Sequence, residues 1–279
     1  MTPLLPALVV AAAVFALAYR LLYVFGRGRA QTGGARLFAA GRRSRLAEAA
    51  LRVAASRTGV RTTIRVIPDW EVQALTVATV EGDRLLVSAG ALTTLTPREL
   101  AALLAHEQGH VARRHLDHEL RDRAARTAAP LVALALLPAG LPAALGAALL
   151  IAVAGELLLA LELRRHETEA DTFARAAGFG RPLARALVRA DGRDRQLAEL
   201  PLLMARAQRH RRPGARRAAA AILRRWEGGA PDPVRLEGWL RGLRTLAGPV
   251  RLPLMRRGTG WREIHDPVVV RARRLLTGR

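Results

Sequence analysis

"LLAHEQGHVARRHLDHE", residues 103 to 119, places four histidines and two glutamates in seventeen positions of a chain with seven histidines in all. Within it, "HEQGH" sets His106 and His110 four apart. On a helix both imidazoles then leave one face, one turn apart, and can reach one ion. Glu107 lies beside them. In this H-E-x-x-H arrangement the imidazoles hold zinc and the glutamate is the general base. The string alone is short enough to recur by accident, so its surroundings decide its weight. Thr96, Pro97 and Glu99 form a capping box with proline at the first helical position, which predicts a helix starting there and running through the histidine cluster. That helix is apolar, as a site that excludes water requires.

A catalytic zinc takes three protein ligands and leaves one position for water. The chain has no cysteine, so any metal must be held by His, Asp or Glu. Downstream, "RRHETEADTFA" (residues 164 to 174) offers Glu167 and, one helical turn later, Asp171, so a ligating carboxylate and an acceptor that orients a ligand can face the same way. Glu169 should point roughly 160° away around that helix and not share the ion. His118, His166 and His210 lie among arginines and acids and are expected at the surface.

Composition narrows the remaining possibilities. All 45 basic residues are arginine, against 23 acids, a formal charge of +22. Arginine without lysine is the mark of GC-rich coding as much as of chemistry. So basic a chain suggests nucleic acid, but aromatic residues are only 4% and supply no base-stacking platform. No nucleic-acid partner is therefore expected. An anionic lipid membrane is the other natural partner for the charge. The excess sits largely in residues 181 to 279, with 24 arginines against 8 acids. Helix-like pieces there, "RPLARALVRA" and "RRAAAAILRRW", are separated by Gly and Pro clusters.

The first stretch, "TPLLPALVVAAAVFALAY", is uncharged and followed by Arg20, Arg27 and Arg29. Continued to Phe25 it is long enough for a membrane span. No basic residue precedes the apolar run, which favours an uncleaved anchor over a signal peptide. The arginines after it place that flank in the cytoplasm. A helix over 44 to 58, with Leu46, Ala50, Leu51 and Ala54 inward, and two short strands in "TTIRVIPDW" and "DRLLVSAG" are predicted next. Residues 128 to 161 are uncharged except for Glu156 and broken by Pro130, Pro138, Gly140 and Pro142. If Glu167 joins the histidines on one ion, the chain must return to the side it left, which predicts a hydrophobic hairpin turning near "LPAGLP".

The pairing of "LLAHEQGHVARRH" with "ELRRHETEADTFARAAGF" resembles the HtpX-like membrane zinc metallopeptidases, peptidase family M48, which includes the CAAX prenyl endopeptidases. Arg164, Glu167, Ala170 and Asp171 fill that family's R-x-x-E-x-x-A-D-like element. "LLVSAGALTTLTPREL" also matches, and "IHDPVVVRARRL" is similar to its H-P-P-x-x-x-R-I-x-x-L signature, so the resemblance covers about residues 45 to 275. It implies one Zn2+ per chain on His106, His110 and Glu167, with Glu107 as general base. Asp171 would orient a ligating histidine, and His265 would approach the substrate or the oxyanion. Arg164 either pairs with a carboxylate near the site or flanks the membrane. His115 is a family position to which no role is assigned. "HDP" stands in place of "HPP", and "VQALT" (residues 72 to 76) where the family has an asparagine-alanine-phenylalanine string.

The expectation is a mainly α protein with a small β element: a membrane-anchored, gluzincin-type metallopeptidase acting on polypeptides. Its parts would be an anchor (1–25), a first catalytic half with the H-E-x-x-H helix (26–126), a hydrophobic membrane hairpin (127–163) and a second catalytic half with the third ligand and a basic end (164–279). It would sit in the cell membrane with the catalytic domain facing the cytoplasm. A BlaR-type sensor metallopeptidase shares the zinc elements but generally has several spans before the zinc helix. A non-enzymatic basic membrane-surface protein is the alternative from another class.

Overall fold

The computed structural model describes residues 4–135, 141–226, 233–249 and 268–277. The expected turn at "LPAGLP" and His265 lie at or beyond the limits of those residues, so neither is described below.

Helix α1 (Leu4–Ala40) is the one described helix long and apolar enough to cross a membrane. Val9, Leu17, Val24 and Phe25 are each more than half exposed along it, an apolar surface that no other part of the described chain covers. The helix does not stop at Phe25, where the span was expected to end. It continues because its second half is packed: Tyr23 Oη donates to Asp117 Oδ1 at 2.6 Å, and Gly34 lies so close to Ala78 that a Cβ there would meet the Ala78 carbonyl oxygen at 2.0 Å. Those contacts offset the low helix propensity of Gly33 and Gly34.

The predicted helix over 44 to 58 forms as α2 (Arg45–Thr58), capped by Ser44 and closed by Gly59 at φ 74°. It buries Ala47, Ala50, Leu51 and Ala54, whereas Leu46, expected inside, is exposed. The two predicted strands are β1 (Ile64–Ile67) and β3 (Gly82–Ser88), running parallel. Between them in sequence lies β2 (Ala74–Thr79), not foreseen, which pairs antiparallel to β3 in the order β1-β3-β2. The two-residue turn at Val80 and Glu81, with Gly82 at φ 113°, folds β2 back onto β3. Among the described residues no strand pairs with its outer edge.

After the short α3 (Ala89–Thr94), Thr96 and Glu99 make both bonds of the predicted capping box at the start of α4 (Pro97–Ala112). Leu100, Ala101, Leu104 and Ala105 bury its inner face in the main core, against α2, β3 and the start of α7. The helix does not run on through the cluster as expected. Arg114 takes φ 55°, an uncommon value for a residue with a Cβ, and a new helix, α5 (His115–Ala135), starts immediately after it.

α5 lies beside α6 (Leu141–Ala176): Gly155 sits against Arg126, and His115 bonds to Glu169 at the other end. α7 (Gly180–Arg209) is continuous through Gly192 and Pro201. Its second half forms a separate core with α8 (Pro213–Trp226) and α9 (Pro233–Ala247), built from Leu200, Leu203, Leu236, Leu240 and Leu243. The last described element, α10 (Val268–Thr277), packs on α7 and α6.

Candidate metal centre

Two helices make the site, and a glycine lets them meet. At Gly109, between the two histidines of α4, an added Cβ would lie 3.0 Å from Ala170 Cα and 3.3 Å from Phe173 Cβ of α6. The small pair Gly109 and Ala170 thus brings the helix backbones close enough for Glu167 and Asp171 to reach His106 and His110.

There the atoms converge. His106 Nε2 and His110 Nε2 are 3.2 Å apart. Glu167 spans them, Oε2 lying 3.5 Å from His106 Nε2 and Oε1 3.5 Å from His110 Nε2. Ligand atoms of His106, Glu107 and His110 lie within 4.8 Å of one another, the one such described group able to hold a metal ion. Asp171 Oδ1 stands 3.0 Å from His106 Nδ1, off the line of a good hydrogen bond but close enough for charge to act. Glu107 is buried, and Thr76 of β2 donates to its Oε2 at 3.0 Å.

Electrostatics follow from this crowding in the metal-free site. Burial opposes a charge on His106, but the carboxylates of Asp171 and Glu167 prevail and push its pKa up to about 10. Burial likewise opposes ionised Glu167, yet the two histidines and Arg271 hold it well below the carboxylate range. Glu107 is raised by burial, against the pull of His110 and His106. Two imidazoles and the Glu167 carboxylate thus face one another, with the basic Glu107 carboxylate beside them.

His106, Glu107, His110, Glu167 and Asp171 are therefore brought together. Arg164 is not in that group: it lies exposed on α6, its carbonyl accepting from Thr168 Oγ1. The guanidinium beside the carboxylates belongs to Arg271 of α10, which donates to both oxygens of Asp171 at 2.8 and 3.0 Å and lies 2.9 Å from Glu167 Oε2. Its signal was present in the sequence, since Arg271 fills the arginine position of the "HDPVVVR" string. His166, expected at the surface, is buried and stacked on His115 with ring centroids 4.1 Å apart, because α5 folds over it. Thr76, inside the departing string "VQALT", was not foreseen as a partner of Glu107.

The paired histidines and the glutamate between them form a group that could hold a metal ion, and the Glu167 carboxylate on a second helix faces them. The chain belongs to peptidase family M48, whose family model matches residues 9–222. That match runs from within α1 to within α8 and ends before Arg271. A search of curated proteins found no match.

Proposed function

We propose that the chain is a membrane-anchored, zinc-dependent endopeptidase in which His106, His110 and Glu167 hold the ion and Glu107 is the general base. One observation carries this reading. Zinc bonds of 2.0–2.1 Å in tetrahedral array place ligand atoms roughly 3.4 Å apart. His106 Nε2 and His110 Nε2 lie 3.2 Å apart, and each is 3.5 Å from a Glu167 carboxylate oxygen, Oε2 for His106 and Oε1 for His110, spacings close to that ligand–ligand distance. A set of two imidazoles and a carboxylate, with no thiolate, suits zinc at a catalytic centre.

Bound zinc supplies a polarised carbonyl and a water acidified to a pKa of about 7. Glu107, raised by burial, takes the proton of the attacking water and returns it to the leaving amine. Thr76 holds the Glu107 carboxylate in place through its hydroxyl. Asp171 orients His106 and is itself held by Arg271. His265 is assigned to the oxyanion on the family resemblance alone.

A polypeptide substrate fits the outer edge of β2. Ser88 N–H donates to Gln73 O, so backbone groups of alternate residues, Ala74, Thr76 and Ala78, turn away from β3. At Ala78 that edge is covered by Gly34; beside Thr76 and Glu107 an extended peptide can add a strand.

α1 serves as the anchor, and the exposed Leu149, Leu150, Leu157 and Leu158 of α6 favour burial of residues 127–163 in lipid as a hairpin. The catalytic unit is then assembled from residues 26–126 and 164–279, on the cytoplasmic side by the arginines following the first span. Anionic lipid is the proposed partner of the basic surface. A role in membrane protein quality control is an analogy with the family.

The test is zinc content of the purified full-length chain together with cleavage of an unfolded protein. One zinc per chain and cleavage, both lost in His106→Ala and in Glu167→Ala, are expected. A wild-type chain without stoichiometric zinc would refute the reading.

A further inference from the structure

The turn at Arg113 and Arg114 sets His115 beside the ligand His110, and a chain of contacts leads on from it. His110 Nδ1 and His115 Nδ1 are 2.8 Å apart. His115 Nε2 lies 3.1 Å from Glu169 Oε2, and Arg165 Nε donates to Glu169 Oε1 at 2.9 Å. The His166 ring lies over His115 at an interplanar angle of 12° and fixes its plane. His115 and His166 are both buried, so water does not replace these partners.

Two ring nitrogens that face each other share one proton, and the direction of the chain follows from His110. With Nε2 of a neutral imidazole used as a ligand, the proton of His110 sits on Nδ1 and is donated to His115 Nδ1. His115 then carries its own proton on Nε2 and donates it to the Glu169 carboxylate. Every donor meets an acceptor. The negative charge of Glu169 is thereby felt at the ligating nitrogen through two imidazoles. Outer partners of this kind fix a ligand's tautomer and raise its basicity, and loss of one costs about 10–100-fold in metal affinity.

We infer that His115 and Glu169 are positioning residues of the metal centre, forming a relay from Glu169 through His115 that sets the tautomer and orientation of His110. The inference rests on the zinc reading above. It assigns each histidine ligand its own support: Asp171 for His106, and the His115–Glu169 relay for His110. It also divides the acids of α6. Glu167 faces the ion, whereas Glu169, on another face of the same helix, acts on it through α5.

The experiment uses the full-length chain in detergent at fixed pH, with zinc affinity read by competition against a chromophoric chelator and the Co2+-substituted site read by its visible absorption. His115→Phe keeps a flat ring over His166 but removes the acceptor, and should weaken zinc binding about 10–100-fold and shift the cobalt bands. Glu169→Gln, at a half-exposed position, should cost less, under about tenfold. The double variant should bind no more weakly than His115→Phe, because the glutamate acts only through the histidine. His115→Asn, which can still accept and donate, should recover part of the loss. Wild-type affinity with an unshifted cobalt spectrum in His115→Phe, or fully additive losses in the double variant, overturns the relay. Should His115→Phe fail to fold, wild-type affinity in both Glu169→Gln and His115→Asn overturns it equally. A wild-type chain that binds no zinc instead refutes the zinc reading and takes the relay with it.

Discussion

Arg271 reaches back 100 residues to grip Asp171 with two parallel bonds, Nε to Oδ2 at 3.0 Å and Nη2 to Oδ1 at 2.8 Å, both side chains being buried. Its third donor, Nη1, lies 2.9 Å from Glu167 Oε2. One fixed cation therefore bridges two carboxylates that would otherwise repel each other. Arg271→Leu removes the cation shared by both acids, and the metal-free protein should lose about 3–5 kcal/mol. Bound zinc returns positive charge to Glu167, so the loss should shrink when zinc is present. Thermal unfolding in detergent with and without zinc checks this; equal losses in the two states would count against a shared electrostatic role.

Glu107→Gln removes the proposed base and leaves both imidazoles. Proteolysis should fall by at least ~10²-fold while zinc content stays at the wild-type level. Near-normal turnover in this variant would sink the mechanism.

In the metal-free site Asp171 and Glu167 push the pKa of His106 up to about 10, so on the proposed zinc reading it holds at neutral pH a proton that the ion would displace. Metal ligands bind in their deprotonated forms, so apparent affinity should fall by about tenfold for each pH unit lowered from 10, for this one proton. The sign follows from a raised pKa: the proton is bound below 10 and gone above it. Calorimetry at pH 7 in buffers of different ionisation enthalpy should register proton release on zinc binding. Binding that takes up no buffer heat would contradict it.

Gly109 permits the approach of α6, and a Cβ there would press on the Ala170 backbone at 3.0 Å. Gly109→Ala should therefore push α6 outward and cost about 1–3 kcal/mol. Because Glu167 rides on α6, zinc affinity should drop with it, unlike in Gly192→Ala, where nothing lies within 4 Å. Similar zinc affinity in the two alanine variants would remove Gly109 from the account of the site.

Topology is accessible through single cysteines in this cysteine-free chain. Arg52 and Arg195 are exposed on α2 and α7, the two sides of the hydrophobic segment. With both catalytic halves in the cytoplasm, an impermeant thiol reagent should label neither Arg52→Cys nor Arg195→Cys in intact cells and both after permeabilisation. Opposite accessibility of the two would overturn the hairpin and, with it, Glu167 as a ligand.

What the sequence determined by itself was local. The spacing of His106 and His110, the capping box at Thr96 and Glu99, the Ser44 cap and the one-turn separation of Glu167 and Asp171 depend on helix periodicity and end chemistry, which act within a few residues. The strand β2 escaped because "ALTVAT" is defined by its pairing with β3, a tertiary event. Tertiary structure also decided what completes the site. A helix carried straight through the cluster would put His115 roughly 140° around from His110. The turn at Arg114 instead places the two nitrogens 2.8 Å apart, and no periodicity in "HVARRH" announces it. His166 is buried because α5 folds over α6, and Arg271 is a site residue because α10 packs against them from a hundred residues away. Helix signals are written in neighbours along the chain; the partners of a buried charge are chosen by whichever elements the core brings together.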